Sequence, residues 1–508
     1  MHRNIFRKYD IRGVFKKDFG ESDITAIART ISHFTLDDGI AHKNICIGYD
    51  GRLSSPIIRE ALLYGLMECG YSRNSQRGNI VDIGICSTPM LYWAAYNIDN
   101  IGVAIMITGS HNPKEYNGLK IIYNMSYAAE DFLDRIKDFL LGNIWSEGKD
   151  SKIKLHEQEA ITCSLHADLS SVHLNKLNFK SSDLAESFGN SSGQLEIGKA
   201  YLNSVFTAKI PAVKRKLSIA WDLSNGAMCR IVPEFIKRLQ GEHFLLNSKI
   251  DGNFPNHLPD PTCAKNLEQL SAFIREKNCD FGICFDGDGD RIGIVLKNGR
   301  ILYGDHILLL IAHDMILNST GNKVLVDVRM NQFVIDQIRN LGCDVVIWQP
   351  GHSKIKNKMK EDGITIAAEM SGHIFFNLKR YICDDALIAA YKIYELFLLG
   401  YDFERILEPI SHIIKTEEIR IPIDEKLRLL MLFNIKSYLT ILGIEFEYFD
   451  GIRVANKNLS WNIRSAVTEE VISFNISAVS QEHLDSILAL ISSAILALES
   501  AMFLKVLN

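Results

Sequence analysis

The 508-residue sequence predicts an α/β protein of several domains, on two observations. Short apolar runs alternate with longer amphipathic stretches, and the chemically capable residues fall just after apolar runs. Eight runs have the length and composition of buried strands: 44–50, 79–85, 101–108, 217–223, 281–286, 291–296, 323–328 and 344–348. Helical spacing marks the intervals, as in SSPIIREALLYGLMECG after the first run and NLEQLSAFIREKN before FGICFD. This alternation argues for α/β units with largely parallel sheets. In such sheets the chemistry belongs in loops at the carboxyl ends of strands.

The length is too great for one hydrophobic core and suggests roughly three or four domains. A hydrophobic content of 47% and a charged content of 23% are those of a soluble globular protein. Sixty-one acidic residues against 56 Lys and Arg give a net charge of -5, which leaves no nucleic-acid footprint and no polybasic membrane attraction. Anionic substrates remain allowed, because a local Arg/Lys cluster binds phosphate inside an acidic protein. The N-terminal MHRNIFRKYDIRG lacks the apolar core of a signal peptide. No apolar run approaches the roughly 18 residues of a membrane span. The ten scattered cysteines, with no CxxC pair, read as reduced residues of a cytoplasmic protein. Residues 142–200 are rich in Ser, Lys and Glu without clean periodicity, and read as an elaborated linker at a domain boundary. Further boundaries are expected near 300–303 and 412–420.

FDGDGDR, 285–291, is the strongest local signal. Asp286, Asp288 and Asp290 alternate with glycine between two apolar strands, and in an extended backbone alternate side chains share a face. Carboxylates so close repel unless a cation sits among them. An all-oxygen ligand set favours Mg²⁺ or Ca²⁺ over zinc. An EF-hand is excluded, since Arg291 and Lys297 stand where its Gly and Glu are required.

In IMITGSHNPKEYNGLK, 105–120, an apolar strand ends at Thr108 and Gly109 frees the backbone before Ser110. With His111 next to it and Lys120 nearby in sequence, Ser110 is a candidate activated nucleophile. The surroundings are not a GxSxG elbow. PGHSKIK (350–356) and AAEMSGHIFF (367–376) carry polar clusters on turns: His352 and Ser353, then Glu369, Ser371 and His373. Glu and Ser one residue apart can both bond vicinal sugar hydroxyls.

Taken together these residues resemble the α-D-phosphohexomutases, and within them the phosphomannomutase/phosphoglucomutase group. The resemblance runs in order from FRKYDIRG (6–13) and GYDGRLSSP (48–56) through TGSHNP, FPNHLPDPT (254–262), DGDGDR and GHSKIK to EMSGH, about three-quarters of the chain. It implies three α/β domains of similar topology plus a smaller C-terminal α+β domain around a central cleft. On this sequence they are placed at 1–150 (phosphoserine loop), 151–300 (metal loop), 301–415 (sugar-binding loop) and 416–508 (phosphate-binding). The resemblance implies a phosphorylated Ser110. It makes Asp286, Asp288 and Asp290 Mg²⁺ ligands, with the phosphoserine oxygen at Ser110 as a further one. Arg12, His111, Lys120 and Arg291 match residues around the transferring phosphoryl group. Tyr9, His352, Glu369, Ser371 and His373 fall to substrate binding, with Arg464 and Thr468 on the phosphate loop. The implied reaction interconverts hexose 1-phosphate and hexose 6-phosphate, of mannose or glucose, through a hexose 1,6-bisphosphate. The partners are small sugar phosphates.

The last quarter departs from the family pattern. Where the family reads like Arg-Pro-Ser-Asn-Thr-Glu-Pro, this chain keeps Arg464, Thr468 and Glu469 but has Ala466, Val467 and Glu470, and a later Arg falls at Asn475. Pro350 and Ala368 replace a usual Thr and Gly. Two alternatives stand beside the leading reading. Phosphoglucosamine mutase is opposed by Met370, where that group usually has Gln. A sugar-phosphate-binding paralogue without turnover is suggested by the eroded loop.

Overall fold

All eight apolar runs form strands in the computed structural model of the protein, which describes residues 1–40, 42–72, 77–127, 130–142, 191–206, 216–378, 380–416, 418–465 and 471–506. The first sheet contains β1 (Ile11–Val14), β2 (Asn44–Tyr49), β3 (Ile80–Ile85), β4 (Ile101–Ile107), β5 (Tyr116–Tyr123) and β6 (Ser126–Tyr127). Its order is β1-β5-β4-β2-β3, with β6 on β5. β2 runs parallel to β3 and β4, whereas β5 is antiparallel to both β4 and β1. β4 is buried along its whole length, which is why its sequence shows no alternation. Ile45, Ile47, Val103 and Ile105 pack in one core with Ile24, Ile27 and Ile31 of the helix Glu21–Asp37. Fully burying an aliphatic side chain of this size contributes about 1.5–3 kcal/mol. The helix Thr88–Asn97 is capped by Ser87, whose Oγ accepts from Met90 N–H, and Pro89 lies in its first turn.

The second sheet contains β7 (Ser218–Asp222), β8 (Glu242–Leu246), β9 (Phe281–Phe285), β10 (Ile292–Leu296) and β11 (Ile301–Leu302), in the order β11-β10-β9-β7-β8. The third contains β12 (Lys323–Asp327), β13 (Asp344–Trp348), β14 (Ile366–Ala368), β15 (Ile374–Asn377) and β16 (Ile382–Asp384), in the order β13-β12-β14-β15-β16. Each has three parallel strands followed by antiparallel ones. The three α/β sheets thus share one plan, but the expectation of largely parallel sheets is corrected. Tight loops such as 286–291 join neighbouring strands directly, and a strand returning through so short a loop can only be antiparallel.

The last sheet is wholly antiparallel: β17 (Ile414–Lys415), β18 (Ile419–Pro422), β19 (Glu447–Tyr448), β20 (Ile452–Ala455), β21 (Leu459–Ser465) and β22 (Val471–Ala478). Its order is β17-β22-β21-β20-β19, with β18 on β22. Met431, Ile435 and Leu439 of the helix Glu425–Ile441 cluster with Trp461, Ile463, Phe474 and Ile476 of the sheet.

Two short strands lie across the expected domain boundaries. Ile301–Leu302 pairs with β10, and Ile414–Lys415 pairs with β22, so each belongs to the sheet on the other side of the cut. The chain divides into two compact units, Met1–Tyr201 and Leu202–Asn508. Most of the linker expected at 142–200 lies outside the described residues; its last stretch begins the helix Ser191–Val205. Among the described residues no disulfide forms, and no helix is long and apolar enough to cross a membrane.

Candidate active site

In the first unit Ser110 sits just past the carboxyl end of β4, 2% exposed, with φ of 47°. The left-handed region is costly for a residue with a Cβ, and such strain, worth about 1–3 kcal/mol, persists only where surroundings over-determine it. Here a guanidinium does so. The five N–H groups of fully buried Arg52 are directed at the carbonyls of Ser110 (2.6 Å), Asn112 (2.6 Å), Pro113 (2.6 Å) and Tyr116 (3.0 Å) and at Asp50 Oδ2 (3.1 Å). Asp50 Oδ2 also accepts from Thr108 Oγ1 and Gly109 N–H, and Thr108 Oγ1 in turn accepts from Ser110 N–H at 2.7 Å. Residue 109 must be glycine, because a Cβ there would meet Arg52 Cζ at 2.5 Å.

Of the predicted residues of this unit, Arg12 and His111 contact that loop. Arg12 Nη1 donates to Gly109 O at 2.9 Å and to Asn112 Oδ1 at 2.6 Å, while its Nη2 pairs with Asp10. Ser110 Oγ lies 3.4 Å from His111 Nδ1. Lys120 is buried on β5 opposite Met106, and Tyr9 is half-buried beneath the Lys8 ammonium. Sequence reasoning assigned no role to Asp50 and Arg52.

In the second unit Asp286, Asp288 and Asp290 are all buried, with one carboxylate oxygen from each within 4.8 Å of the others. The convergence was expected from an extended backbone, and that reason is corrected. Residues 286–290 form a turn between β9 and β10, wrapped around Asp286 Oδ1, which accepts from the N–H groups of Gly289 (2.9 Å), Asp290 (3.1 Å) and Arg291 (3.2 Å). Gly289, at φ +77°, makes that turn possible. Three buried carboxylates with oxygen donors only can hold a hard divalent cation.

The sugar-loop candidates also meet. Glu369 Oε1 accepts from Gly351 N–H at 2.6 Å, tying together the loops that carry His352 and Ser371, and Ser371 Oγ donates to Glu369 Oε2 at 3.1 Å. His373 Nε2 accepts from Arg291 Nε at 2.9 Å, joining this loop to the acidic turn. Behind it Asp384 is fully buried. Burial alone would raise its carboxyl, but Lys356 and His373 hold it well below the ordinary carboxylate range. Arg329, missed in the sequence, lies 2.6 Å from Asp327 and 4.0 Å from Glu369. Its position just after β12, at a strand's carboxyl end, is where the topological rule would have found it.

In the last sheet Arg464, on β21, pairs with Asp450 at 3.2 Å. Thr468, with Ala466, Val467, Glu469 and Glu470, lies outside the described residues.

Comparison with known proteins fits this geometry. Sequence models of phosphoglucomutase/phosphomannomutase match in order: alpha/beta/alpha domain I over residues 3–142, domain II over 199–299 and domain III over 303–412. A phosphomannomutase/phosphoglucomutase of Pseudomonas aeruginosa is 30% identical over 500 residues, 98% of this chain and 97% of its own. A phosphoglucomutase of Neisseria gonorrhoeae is 32% identical over 83% of this chain and 81% of its own. The crystal structure of a phosphoglucomutase/phosphomannomutase family protein from Burkholderia thailandensis superposes with a TM-score of 0.79 at 26% identity, covering 98% of both chains. With three family domains matched in order and 30% identity sustained over 98% of its length, this chain belongs to the phosphoglucomutase/phosphomannomutase family of α-D-phosphohexomutases.

Proposed function

We propose that this chain interconverts the 1- and 6-phosphates of mannose or glucose, with Ser110 as the group that carries the phosphoryl. The protein is a hexose-phosphate mutase, an intramolecular phosphotransferase, as its full-length relatives are by name. The observation that carries the serine assignment is the left-handed Ser110, held by Arg52 through the carbonyls of Ser110 and Asn112. Phosphoryl transfer asks mainly for positioning and charge neutralisation. In the first half-reaction the P–Oγ bond of phosphoSer110 breaks as a P–O bond forms to the free 1- or 6-hydroxyl of the substrate, whose proton ends on Ser110 Oγ, giving a bound 1,6-bisphosphate. That intermediate turns end for end, and the other phosphoryl returns to Ser110 Oγ, whose proton passes to the sugar oxygen released, with His111 Nδ1, 3.4 Å from Oγ, as its carrier. Arg12, Lys120 and Arg291 balance charge on the moving group. Glu369, Ser371, His352 and Tyr9 read the sugar, and Arg464 with Thr468 grips the distal phosphate.

The family is metal-dependent in general, and the buried aspartates form a cluster fit for a cation. We assign it to Mg²⁺, held by Asp286, Asp288 and Asp290 with a phosphoserine oxygen as a further ligand. Bound there, the ion supplies neutralisation of developing phosphoryl charge. Four domains, close to 1–150, 151–300, 301–415 and 416–508, are the proposed division of labour, supported by one sheet for each. A coupled assay with mannose 1-phosphate, glucose 1-phosphate and glucosamine 1-phosphate tests the reading. Turnover of the first two is expected; turnover of glucosamine 1-phosphate alone would contradict it.

A further inference from the structure

We propose that the loop following β7, residues 223–227, braces the acidic turn 286–290 and holds its three carboxylates in register for a divalent cation, with Ser224 and Gly226 as positioning residues. The proposal rests on the reading of Asp286, Asp288 and Asp290 as the ligands of that cation. β7 and β9 are parallel neighbours with Asp222 opposite Cys284, so the loops leaving their carboxyl ends emerge side by side. Hydrogen bonds cross between them. Ser224 Oγ donates to Phe285 O at 2.6 Å, and Ala227 N–H donates to Gly287 O at 2.9 Å. These carbonyls flank Asp286, so the peptide entering Asp286 and the peptide entering Asp288 are both fixed. Asp286 Oδ1 gathers the amides of Gly289, Asp290 and Arg291 from within the turn, and the brace ties that wrapped turn to the loop beside it.

The bracing loop is itself strained into shape. Ser224 and Asn225 are consecutive left-handed residues, φ 49° and 53°, both buried and neither glycine. Such strain persists only where the surroundings over-determine it, and it gathers at functional sites. Here Asp222 Oδ1 accepts from Ser224 N–H at 3.0 Å and Asn247 O accepts from Asn225 N–H at 2.9 Å. Asn225 Nδ2 donates to Lys249 O at 2.8 Å. Gly226 follows with φ of -92° and ψ of -164°, a conformation open to any residue, so its own backbone does not call for glycine. Space does: a Cβ at 226 would stand 2.7 Å from Gly287 O and 3.0 Å from Gly287 Cα. The close approach of the acidic turn is what requires glycine there. Partners that orient metal ligands without touching the metal are worth about 10–100-fold in metal affinity or activity.

The test uses the full chain, freed of metal with EDTA, as wild type, Ser224→Ala and Gly226→Ala. Val295→Ala is the control: it truncates the core at the far end of β10, where Val295 pairs with Gly282, and leaves the brace intact. Hydrogen exchange is read by mass spectrometry on the peptide spanning 285–291, and Mg²⁺ affinity by calorimetry. The brace predicts faster exchange in that peptide before any metal is added, in Ser224→Ala and Gly226→Ala alike. It also predicts a Kd for Mg²⁺ about tenfold or more higher, while thermal unfolding stays cooperative. Val295→Ala should melt at a lower temperature with both readings as in wild type. Unchanged exchange in Ser224→Ala overturns the brace, whether or not Gly226→Ala folds. So does faster exchange with an unchanged Kd in a chain whose wild type binds Mg²⁺, and so does an equal rise in Kd in Val295→Ala, which would trace the effect to lost stability. A wild type that binds no Mg²⁺, or binds it equally well as Asp288→Asn, contradicts the cation reading instead, and the exchange measurement alone then decides the brace.

Discussion

Arg464 and Asp450 face each other within the last sheet, Nη2 to Oδ2 at 3.2 Å, with side chains 15% and 19% exposed. Asp450 takes a left-handed φ of 54° just before β20, so the turn itself delivers the carboxylate to the guanidinium. Pairing at this depth restricts the long Arg side chain and aims it before any ligand arrives.

If Arg464 grips the distal phosphate, Arg464→Ala lowers kcat/KM by about 10–100-fold, the scale of one charge-assisted hydrogen bond of about 1.5–3 kcal/mol. Ala466→Ser with Val467→Asn restores side chains usual in the family and tightens substrate binding by up to about tenfold. Steady-state kinetics on the variants decides; an unchanged kcat/KM in Arg464→Ala places the phosphate elsewhere.

The Arg52 clamp predicts a stability effect together with a chemical one. Arg52→Met strands the carbonyls of Ser110, Asn112 and Pro113 and leaves the buried Asp50 carboxylate without its counter-charge, a loss of more than about 3 kcal/mol. Arg52→Lys does not rescue it, since a single ammonium cannot span a planar five-donor fork. Thermal unfolding should show the loss, and the mass of the intact protein should show Ser110 losing its phosphate.

The metal loop makes a separate prediction. Chelation by EDTA should abolish turnover and Mg²⁺ should restore it, whereas Asp288→Asn should weaken divalent binding, read by calorimetry, without unfolding β9 and β10. An enzyme indifferent to EDTA contradicts the assignment of this loop.

How much of this was legible beforehand follows from the range of each interaction. Strands such as Ile101–Ile107 were readable because continuous burial writes a continuous apolar run. Ser110 and the aspartates were readable because their motifs are local in sequence. The clamp was not, because Arg52 meets Ser110 across 58 positions and nothing near either residue specifies the other. Arg329 beside Glu369, and the Arg291–His373 hydrogen bond across 82 positions, were hidden for the same reason. The acidic turn was found with the wrong geometry: alternation of Asp and Gly fits an extended strand, but glycine's φ > 0 and the backbone bonds to Asp286 make it a turn.

His257 provides a pH test away from the acidic turn. Its Nε2 lies 2.9 Å from Asp222 Oδ2 and its Nδ1 2.8 Å from Leu258 O, so both nitrogens are placed to donate. Burial would lower its pKa, but the Asp222 carboxylate and the Leu258 carbonyl raise it above the ordinary histidine value. A pKa raised in the folded state gives stability that is full below the unfolded value of about 6.5 and is lost as pH rises through the folded value. His257→Gln should therefore destabilise by about 1.5–3 kcal/mol near pH 6, with the difference narrowing toward pH 9. Thermal melts of both proteins across that range check it; a gap that widens with pH contradicts the pairing.

The central claim is that Ser110 carries the phosphoryl group. Incubation with glucose 1,6-bisphosphate labelled with ³²P, followed by proteolysis and peptide sequencing, measures it directly. The account predicts label on the peptide containing Ser110, discharged by added hexose 1-phosphate, and none on Ser110→Ala, whose turnover falls by orders of magnitude. Label on another residue, or full activity of Ser110→Ala with the bisphosphate supplied, would contradict it.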